Sequence, residues 1–292
     1  MIREPARVRL ELESHPENVA LVRAALTGVV EAAELGEEFS ADLKTAVSEA
    51  CNNVALHAYE ESGPMFVEIA VVHDGISVIV GDRGKGIKRI AADEDRMGLG
   101  LAVISALADR AEFASPGGGG TEVRMWFSRE TAIPAPSSPT AELEAELAVE
   151  QMRSTADLTG DVVAWLSPVE VARFVLGRVF RTLAATSHFS IARVRDLQAV
   201  NDAVAGYAEL AADGTLGVAI SSSSRRLVMT GGPFSVEYVA DGQPLDRGLE
   251  AQLENRRQTL ADVVDEFNSE RRGSKELLHL VLVDGGRETV QD

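Results

Sequence analysis

The residues of this chain that are most able to do chemistry lie together at positions 49–57. Glu49, Asn53 and His57 follow one another at intervals of four, so an α-helix over this stretch would place all three on one face. A possible general base and an amide that can bind a metal ion would then lie one helical turn apart. A parallel apolar stripe would pack this helix into a core: Ala50, Val54 and Ala58.

A second group of candidate residues follows two short runs with the composition of β-strands, 65–71 and 76–80. Asp82 would close the second strand, where its carboxylate could accept a hydrogen bond from an exocyclic amine such as that of adenine. Gly84 and Gly86 come next, and glycine lets the backbone approach a ligand closely and adopt a positive φ. This combination points to a nucleotide base.

Two further glycine motifs complete the pattern. Gly98 and Gly100 open an apolar helical stretch, where the free N–H groups and the positive end of a helix dipole could bind phosphates. Thr121 follows the glycines at 118–120 and precedes a strand predicted over 122–127. Any one of these motifs would be an ordinary turn in many proteins, but the whole series in this order favours a nucleotide site.

The ordered motifs resemble a known fold. Glu-x-x-x-Asn-x-x-x-His, Asp-x-Gly-x-Gly, Gly-Leu-Gly-Leu and Gly-Thr are similar to the motifs of the ATP-binding fold shared by gyrase, the Hsp90 chaperone, histidine kinases and the DNA-repair protein MutL. Residues 16–23, 46–53 and 57–59 resemble the anti-sigma-factor serine/threonine-protein kinases, bacterial switch kinases of sporulation and general stress. The resemblance covers residues 7–128 and implies an α+β class: a two-layer α/β sandwich of the histidine-kinase-like ATPase type.

The resemblance also implies a role for each matching residue. Asn53 would coordinate Mg²⁺ that bridges the phosphates of ATP, Glu49 would be the general base, and His57 would lie beneath the phosphates. Asp82 would bind the adenine amino group with the help of Thr121. Four glycines would frame the pocket and its charged lid at 87–97: Gly84, Gly86, Gly98 and Gly100. Arg23, in the first helix, would contact partner proteins. The implied reaction is in-line phosphoryl transfer, in which positioning and electrostatics supply most of the rate.

Composition restricts the partners and the location. The 292 residues carry 46 Asp and Glu against 28 Lys and Arg, a formal net charge of −18, which argues against a nucleic-acid partner because such a partner needs a basic face. The one cysteine, Cys51, is expected to be a buried core thiol. No run approaches the roughly 18 apolar residues of a membrane span, and no signal-peptide pattern opens the chain. We therefore expect a cytoplasmic protein that does not contact a membrane.

The chain divides into three predicted regions: an ATP-binding kinase-like domain at 1–128, a linker at 129–151 and a second domain at 152–292. The linker is rich in Pro and Ser at 131–139 and acidic at 141–150. Shifted by 150 residues, the second domain repeats the apolar pattern of the first and is predicted to be a duplicated copy of the fold. The alternative is an unrelated helical and β domain with a similar periodicity.

The predicted second copy lacks the chemical residues of the first. At a shift of 150, the base, the metal ligand and the adenine carboxylate are all replaced by small residues: Ala199, Ala203 and Gly232. We therefore expect no nucleotide motifs in 152–292. Because the related kinases work as homodimers, fused copies would make the chain a monomer with an internal pseudo-dimer; a homodimer through residues 1–128 is the alternative.

Two functions of different classes fit these residues. The first is an ATP-dependent serine/threonine kinase and anti-sigma factor, which binds a sigma factor and phosphorylates an anti-sigma antagonist and so regulates transcription. The second is a non-catalytic ATP-sensing module whose nucleotide state changes its affinity for partner proteins. Glu49 favours the kinase, because a pure binder needs Asn53 and Asp82 but not a base. A histidine kinase is disfavoured because no helical hairpin with an acceptor histidine precedes the motifs.

Overall fold

The computed structural model describes residues 6–72, 75–86, 94–115, 119–128, 158–212, 214–235 and 247–285. The chain forms two compact units, Met1–Gln151 and Met152–Asp292. The predicted linker at 129–151 and most of the predicted lid, residues 87–93, lie outside the described residues. None of the helices in the described ranges combines the length and the apolar character that crossing a membrane requires.

The first unit contains both strands and helices. Its elements in chain order are β1 (Arg7–Glu13), a 3-10 turn (Pro16–Asn18), α1 (Val19–Ala32), α2 (Glu37–Asn53), a π-helical turn (Val54–Ala58), β2 (Pro64–Val72), β3 (Gly75–Asp82), α3 (Glu94–Leu107), β4 (Arg110–Ala114) and β5 (Glu122–Ser128). The strands lie in the order β4-β5-β3-β2-β1. Each neighbouring pair is antiparallel, so short hairpins and helices suffice to connect them.

One face of this sheet forms the core with the helices. Alternate residues of β2 are buried, as the two-residue period of a strand requires when only one face packs against helices: Met65, Val67, Ile69 and Val71. The helices present matching stripes at intervals of three and four, for example Val22, Leu26 and Val29 on α1. The arrangement confirms the predicted α+β class, with helices on an antiparallel sheet.

The second unit has the same succession of elements. They are β6 (Val162–Ser167), α4 (Val171–Thr186), α5 (Ile191–Ala211), β7 (Leu216–Ser223), β8 (Arg226–Ser235), α6 (Arg247–Val263), β9 (Glu266–Arg272) and β10 (Lys275–Val283). Within this unit the strand order is β6-β7-β8-β10-β9, which corresponds strand by strand to β1-β2-β3-β5-β4. The common topology supports the predicted duplication.

Candidate functional site

Glu49 and Asn53 lie one turn apart on α2, and both face the same small residue on α3. A Cβ placed on Gly100 would be 3.2 Å from Oδ1 of Asn53 and 3.4 Å from Oε2 of Glu49. Any larger side chain at position 100 would press on the two polar groups. The four-residue spacing therefore does bring the carboxylate and the amide together, and a glycine lets α3 approach both of them closely.

The amide of Asn53 has hydrogen-bonding capacity that the protein leaves unused. Its Nδ2 atom is buried and has no hydrogen-bond partner among the described residues. Mg²⁺ usually takes one or two protein ligands and completes its shell with phosphates and water. No group of three or more His, Cys, Asp or Glu side chains in the described residues could hold a metal by itself. Mg²⁺ takes oxygen ligands, so the atom of Asn53 that could bind it is Oδ1, and the remaining ligands would come from the phosphates of a nucleotide and from water.

Asp82 is the last residue of β3 and is only 6% exposed. Its Oδ1 accepts a hydrogen bond from the Gly84 N–H at 2.7 Å, and its own N–H donates to the Thr121 carbonyl at 2.9 Å. Burial raises the pKa of Asp82 above its ordinary value, and hydrogen bonds from Gly84 and Thr121 oppose part of that rise. The carboxylate keeps acceptor capacity that could serve an exocyclic amine.

Glycines make the loop after Asp82 possible. A Cβ on Gly84 would be 2.1 Å from the carbonyl oxygen of Ala58, and one on Gly120 would be 2.2 Å from that of Asp82. Gly86 and Gly120 have φ values of +72° and +77°, which other residues rarely adopt. The Gly120 N–H donates to the Gly84 carbonyl at 2.8 Å. Two glycine segments therefore pack backbone against backbone beside the carboxylate.

The structure contradicts the predicted position of His57. The α-helix ends at Asn53 and continues as a π-helical turn over Val54–Ala58. A π turn holds more residues than an α turn, so a spacing of four no longer returns a side chain to the same face. His57 is exposed, and only Glu49 and Asn53 of the predicted triplet share the site.

The predicted position of Gly98 and Gly100 at a helix N-terminus is also wrong. Helix α3 begins at Glu94, which makes these glycines its fifth and seventh residues. The first four N–H groups of a helix are the unpaired ones, and here they belong to residues 94–97. These residues fall within the predicted lid, and three of them are charged: Glu94, Asp95 and Arg96. The role that the geometry gives to Gly100 is close approach to α2.

Arg23 lies exposed on α1 and reaches toward α2. Its Nη1 donates to the Ser48 hydroxyl at 3.5 Å, and that hydroxyl donates to the Lys44 carbonyl at 2.5 Å. The guanidinium is thereby held over the helix that carries Glu49. Cys51 is buried on the same helix, and burial raises the pKa of its thiol to about 12, which confirms an inert core thiol.

Two structural contributors were not predicted as site residues. Tyr59 contacts the loop that carries Asp82, and Gly120 adopts the positive φ that closes the loop. The run of glycines before Thr121 was a signal for the second. For Tyr59 the only signal was its place directly after the helix motif.

Known proteins share these features over the first half of the chain. Residues 12–127 match the family model of the histidine kinase-like ATPase domain. An anti-sigma F factor of Clostridium perfringens (strain SM101) is 30% identical over 131 residues, which cover 41% of this chain and 94% of the relative. The chain belongs to the anti-sigma-factor kinase family of histidine kinase-like ATPases. The assignment confirms the predicted family and fold type and implies that residues 12–127 bind ATP.

Two other relatives extend the comparison to kinases of this family. The serine-protein kinase RsbW of Bacillus pumilus (strain SAFR-032) is 30% identical over 141 residues, which cover 42% of this chain and 87% of the relative. The anti-sigma F factor of Caldanaerobacter subterraneus subsp. tengcongensis is 32% identical over 129 residues, with coverages of 40% and 90%. Residues beyond the ATPase domain are not covered by the family model.

In the second unit of this anti-sigma-factor kinase homologue, the predicted constant shift of 150 residues is wrong. The Leu35 N–H donates to Val30 O after α1, and the Phe189 N–H donates to Ala184 O after α4, so the offset between the helices is 154. The hairpin pairs differ by 151, from Gly75 of β3 to Arg226 of β8. Loops of unequal length separate the elements, and no single shift can align them.

At the corrected offsets the chemical residues are still missing. The places of the base, the amide and the adenine carboxylate are taken by Ala203, Tyr207 and Pro233. The shift of 150 residues predicts Ala199, Ala203 and Gly232 at these three positions, and that prediction is wrong. Because Ala203, Tyr207 and Pro233 also lack a carboxylate and an amide side chain, they still support the expectation of a second unit without nucleotide motifs.

Side chains fill the region around Tyr207. Tyr207 and Glu276 are fully buried and hydrogen-bonded, and Arg257 Nη2 donates to both, at 2.8 Å to each. The Phe234 ring packs edge-on against Tyr207 with centroids 4.8 Å apart. Burial alone would raise the pKa of Glu276, but hydrogen bonds from Arg257 and Tyr207 outweigh it and hold the pKa below its usual value. The cluster is built around the position that corresponds to Asn53 of the first unit.

Proposed function

We propose that the chain is an ATP-dependent serine/threonine kinase of a partner switch, which binds a sigma factor and phosphorylates a serine or threonine of an anti-sigma antagonist. The observation that carries the proposal is the pairing of Glu49 with Asn53 beneath Gly100. A module that only binds ATP has no use for a carboxylate at that place. The names of the relatives, anti-sigma F factor and serine-protein kinase, support the same partners and reaction.

Each residue of the site has a chemical task in this proposal. Asp82 accepts a hydrogen bond from the adenine amino group, and Thr121 orients the carboxylate. Asn53 holds Mg²⁺, which supplies positive charge to the phosphates when it is bound. Glu49 accepts the proton of the attacking hydroxyl while that oxygen bonds to the γ-phosphorus and the bond to ADP breaks. Gly84, Gly86, Gly98 and Gly100 frame the pocket.

The second unit has a different role in the proposal. Residues 1–128 form the ATP-binding domain, 129–151 a linker, and 152–292 a degenerate copy that binds no nucleotide. The shared strand order and the Tyr207–Glu276–Arg257 cluster support this division. Arg23 is proposed to contact the sigma factor or the antagonist, because it is exposed on α1 beside the helix of the base.

Labelled ATP tests the proposed reaction. The full chain is incubated with Mg²⁺, γ-labelled ATP and candidate antagonists that carry an acceptor serine, and label on the antagonist is measured. We expect transfer to one antagonist, and none when its acceptor serine is replaced by alanine. ATP binding without transfer to any candidate would support the ATP-sensing module instead.

A further inference from the structure

Tyr59 joins the end of the helix motif to the loop after β3. Its hydroxyl accepts a hydrogen bond from the Arg83 N–H at 2.8 Å and donates one to the Pro64 carbonyl at 2.7 Å. The ring rests on Gly63, where a Cβ would be 2.4 Å from a ring carbon. Two hydrogen bonds therefore fix the hydroxyl, and the contact with Gly63 fixes the position of the ring.

Three consecutive N–H groups of the loop are fixed by this region. Arg83 donates to the Tyr59 hydroxyl, Gly84 donates to Oδ1 of Asp82 at 2.7 Å, and Lys85 donates to Ala58 O at 2.9 Å. The bond from Gly84 back to Asp82 is a side-chain turn that sets the direction of the carboxylate. The bonds on either side of it anchor that turn to Ala58, the last residue of the π-helical turn, and to Tyr59, which follows it.

We infer that Tyr59 is a positioning residue for base recognition. Its hydroxyl fixes the turn that aims the Asp82 carboxylate at the adenine amino group, so Tyr59 determines adenine selectivity without contacting the nucleotide. The inference rests on the proposed ATP site and names a residue that sets its specificity. It also separates two parts of the site, because Glu49 and Asn53 lie before the π turn and do not depend on this hydroxyl.

The test uses the full chain with Tyr59→Phe, which removes only the hydroxyl and keeps the ring on Gly63. Calorimetry with Mg²⁺ compares ATP with purine riboside triphosphate, which is ATP without the 6-amino group. Since one hydrogen bond that orders a buried polar group is lost, we expect ATP affinity to fall roughly tenfold and affinity for the analogue to change less than about twofold.

Tyr207→Phe is the matched control, because it removes a hydrogen-bonded hydroxyl from the second unit. It should lower the thermal midpoint yet leave the ratio of the two affinities as in the wild type. If Tyr59→Phe weakens both nucleotides equally, or neither, Tyr59 has a structural role only and the inference fails alone. A wild-type chain that binds neither nucleotide would overturn the proposed function and this inference together.

Discussion

Asp82 combines burial with hydrogen bonds that keep it usable as an acceptor. Its carboxylate is only 6% exposed, and burial raises its pKa above the ordinary value. A raised folded-state pKa means that its contribution to folding stability is fully present below the unfolded pKa and is lost as pH rises through the folded value. Adenine binding needs the charged acceptor and follows the opposite direction. The charged form of Asp82 therefore lowers folding stability, and it is also the form that binds adenine.

We therefore predict that ATP affinity falls as pH is lowered through the raised pKa of Asp82, starting above the usual value of about 3.9. Asp82→Asn should bind ATP more weakly at neutral pH, by about 1–3 kcal/mol, and should lose this pH dependence. Calorimetric titrations at a series of pH values measure both. A wild-type affinity that follows the same pH curve as the variant would show that another group titrates.

The carboxylate of Glu49 is predicted to serve the chemical step and not the binding step. Glu49→Gln should keep ATP affinity within about twofold and lower the transfer rate by about 10²–10⁴-fold, the usual contribution of a positioned base. Asp42→Asn is the matched control, since Asp42 is an exposed carboxylate two turns earlier on α2. A Glu49→Gln chain that phosphorylates the antagonist at the wild-type rate would remove Glu49 from the mechanism.

Periodicity alone was enough to pair Glu49 with Asn53, because both lie within an unbroken α-helix. The same reasoning failed for His57, since the change to a π turn after Asn53 depends on how the helix end meets the loop of Gly84. Tyr59 acts through backbone N–H groups, which leave no trace in a pattern of side chains.

At the scale of elements, the site depends on how closely the helix end approaches the loop after β3. The contacts of the Ala58 carbonyl show this approach. The carbonyl accepts a hydrogen bond from the Lys85 N–H, and it also lies against the Cα of Gly84, where no Cβ would fit. Gly84→Ala would place a methyl group 2.1 Å from that oxygen, and the backbone would have to shift.

We predict that Gly84→Ala lowers the free energy of unfolding by at least about 1–3 kcal/mol and weakens ATP binding as well. Gly36→Ala is its control, because no atom lies within 4 Å of a Cβ at that position. Changing this N-cap residue of α2 should cost less than about 1 kcal/mol. Thermal and urea unfolding give the comparison; equal losses would refute the steric account.

Substitution of Arg23 tests whether the exposed surface of α1 contacts a partner protein. We predict that Arg23→Ala reduces capture of the sigma factor or the antagonist at least about tenfold and leaves ATP affinity unchanged, since Arg23 is exposed and its hydrogen bond goes to Ser48 and not to the loop of Asp82. Arg195→Ala, an exposed arginine of the second unit, is the control. Pull-down that is equal for both variants would make the Arg23–Ser48 contact an ordinary surface interaction.

The sequence was sufficient to predict three strands of the first unit, β2, β3 and β5, but not the other two. The predicted runs at 65–71, 76–80 and 122–127 became β2, β3 and β5, because apolar alternation is strong where a strand packs against helices. Strands β1 and β4 were not separately predicted. The short β4 is largely exposed and carries little periodicity, so its pairing with β5 depends on the sheet that is already formed.

At the scale of the whole molecule, two units share one topology and differ in the residues around the position of Asn53. The first unit leaves glycine and an unpaired amide nitrogen there. The second places the buried Tyr207–Glu276–Arg257 cluster at the corresponding position. A constant shift of the sequence could indicate the duplication but not this cluster, because its residues come from three different elements, α5, α6 and β10.

Native mass spectrometry of the full chain with Mg-ATP tests the central claim most directly, which is that one chain has one ATP site and that the site lies in the first unit. We predict a monomer of 31.2 kDa with one ATP bound, and a smaller ATP-bound fraction when Asp82 is replaced by Asn at the same concentration. A homodimer would contradict the internal pseudo-dimer. No ATP bound to the wild type, or two ATP per chain, would contradict the claim itself.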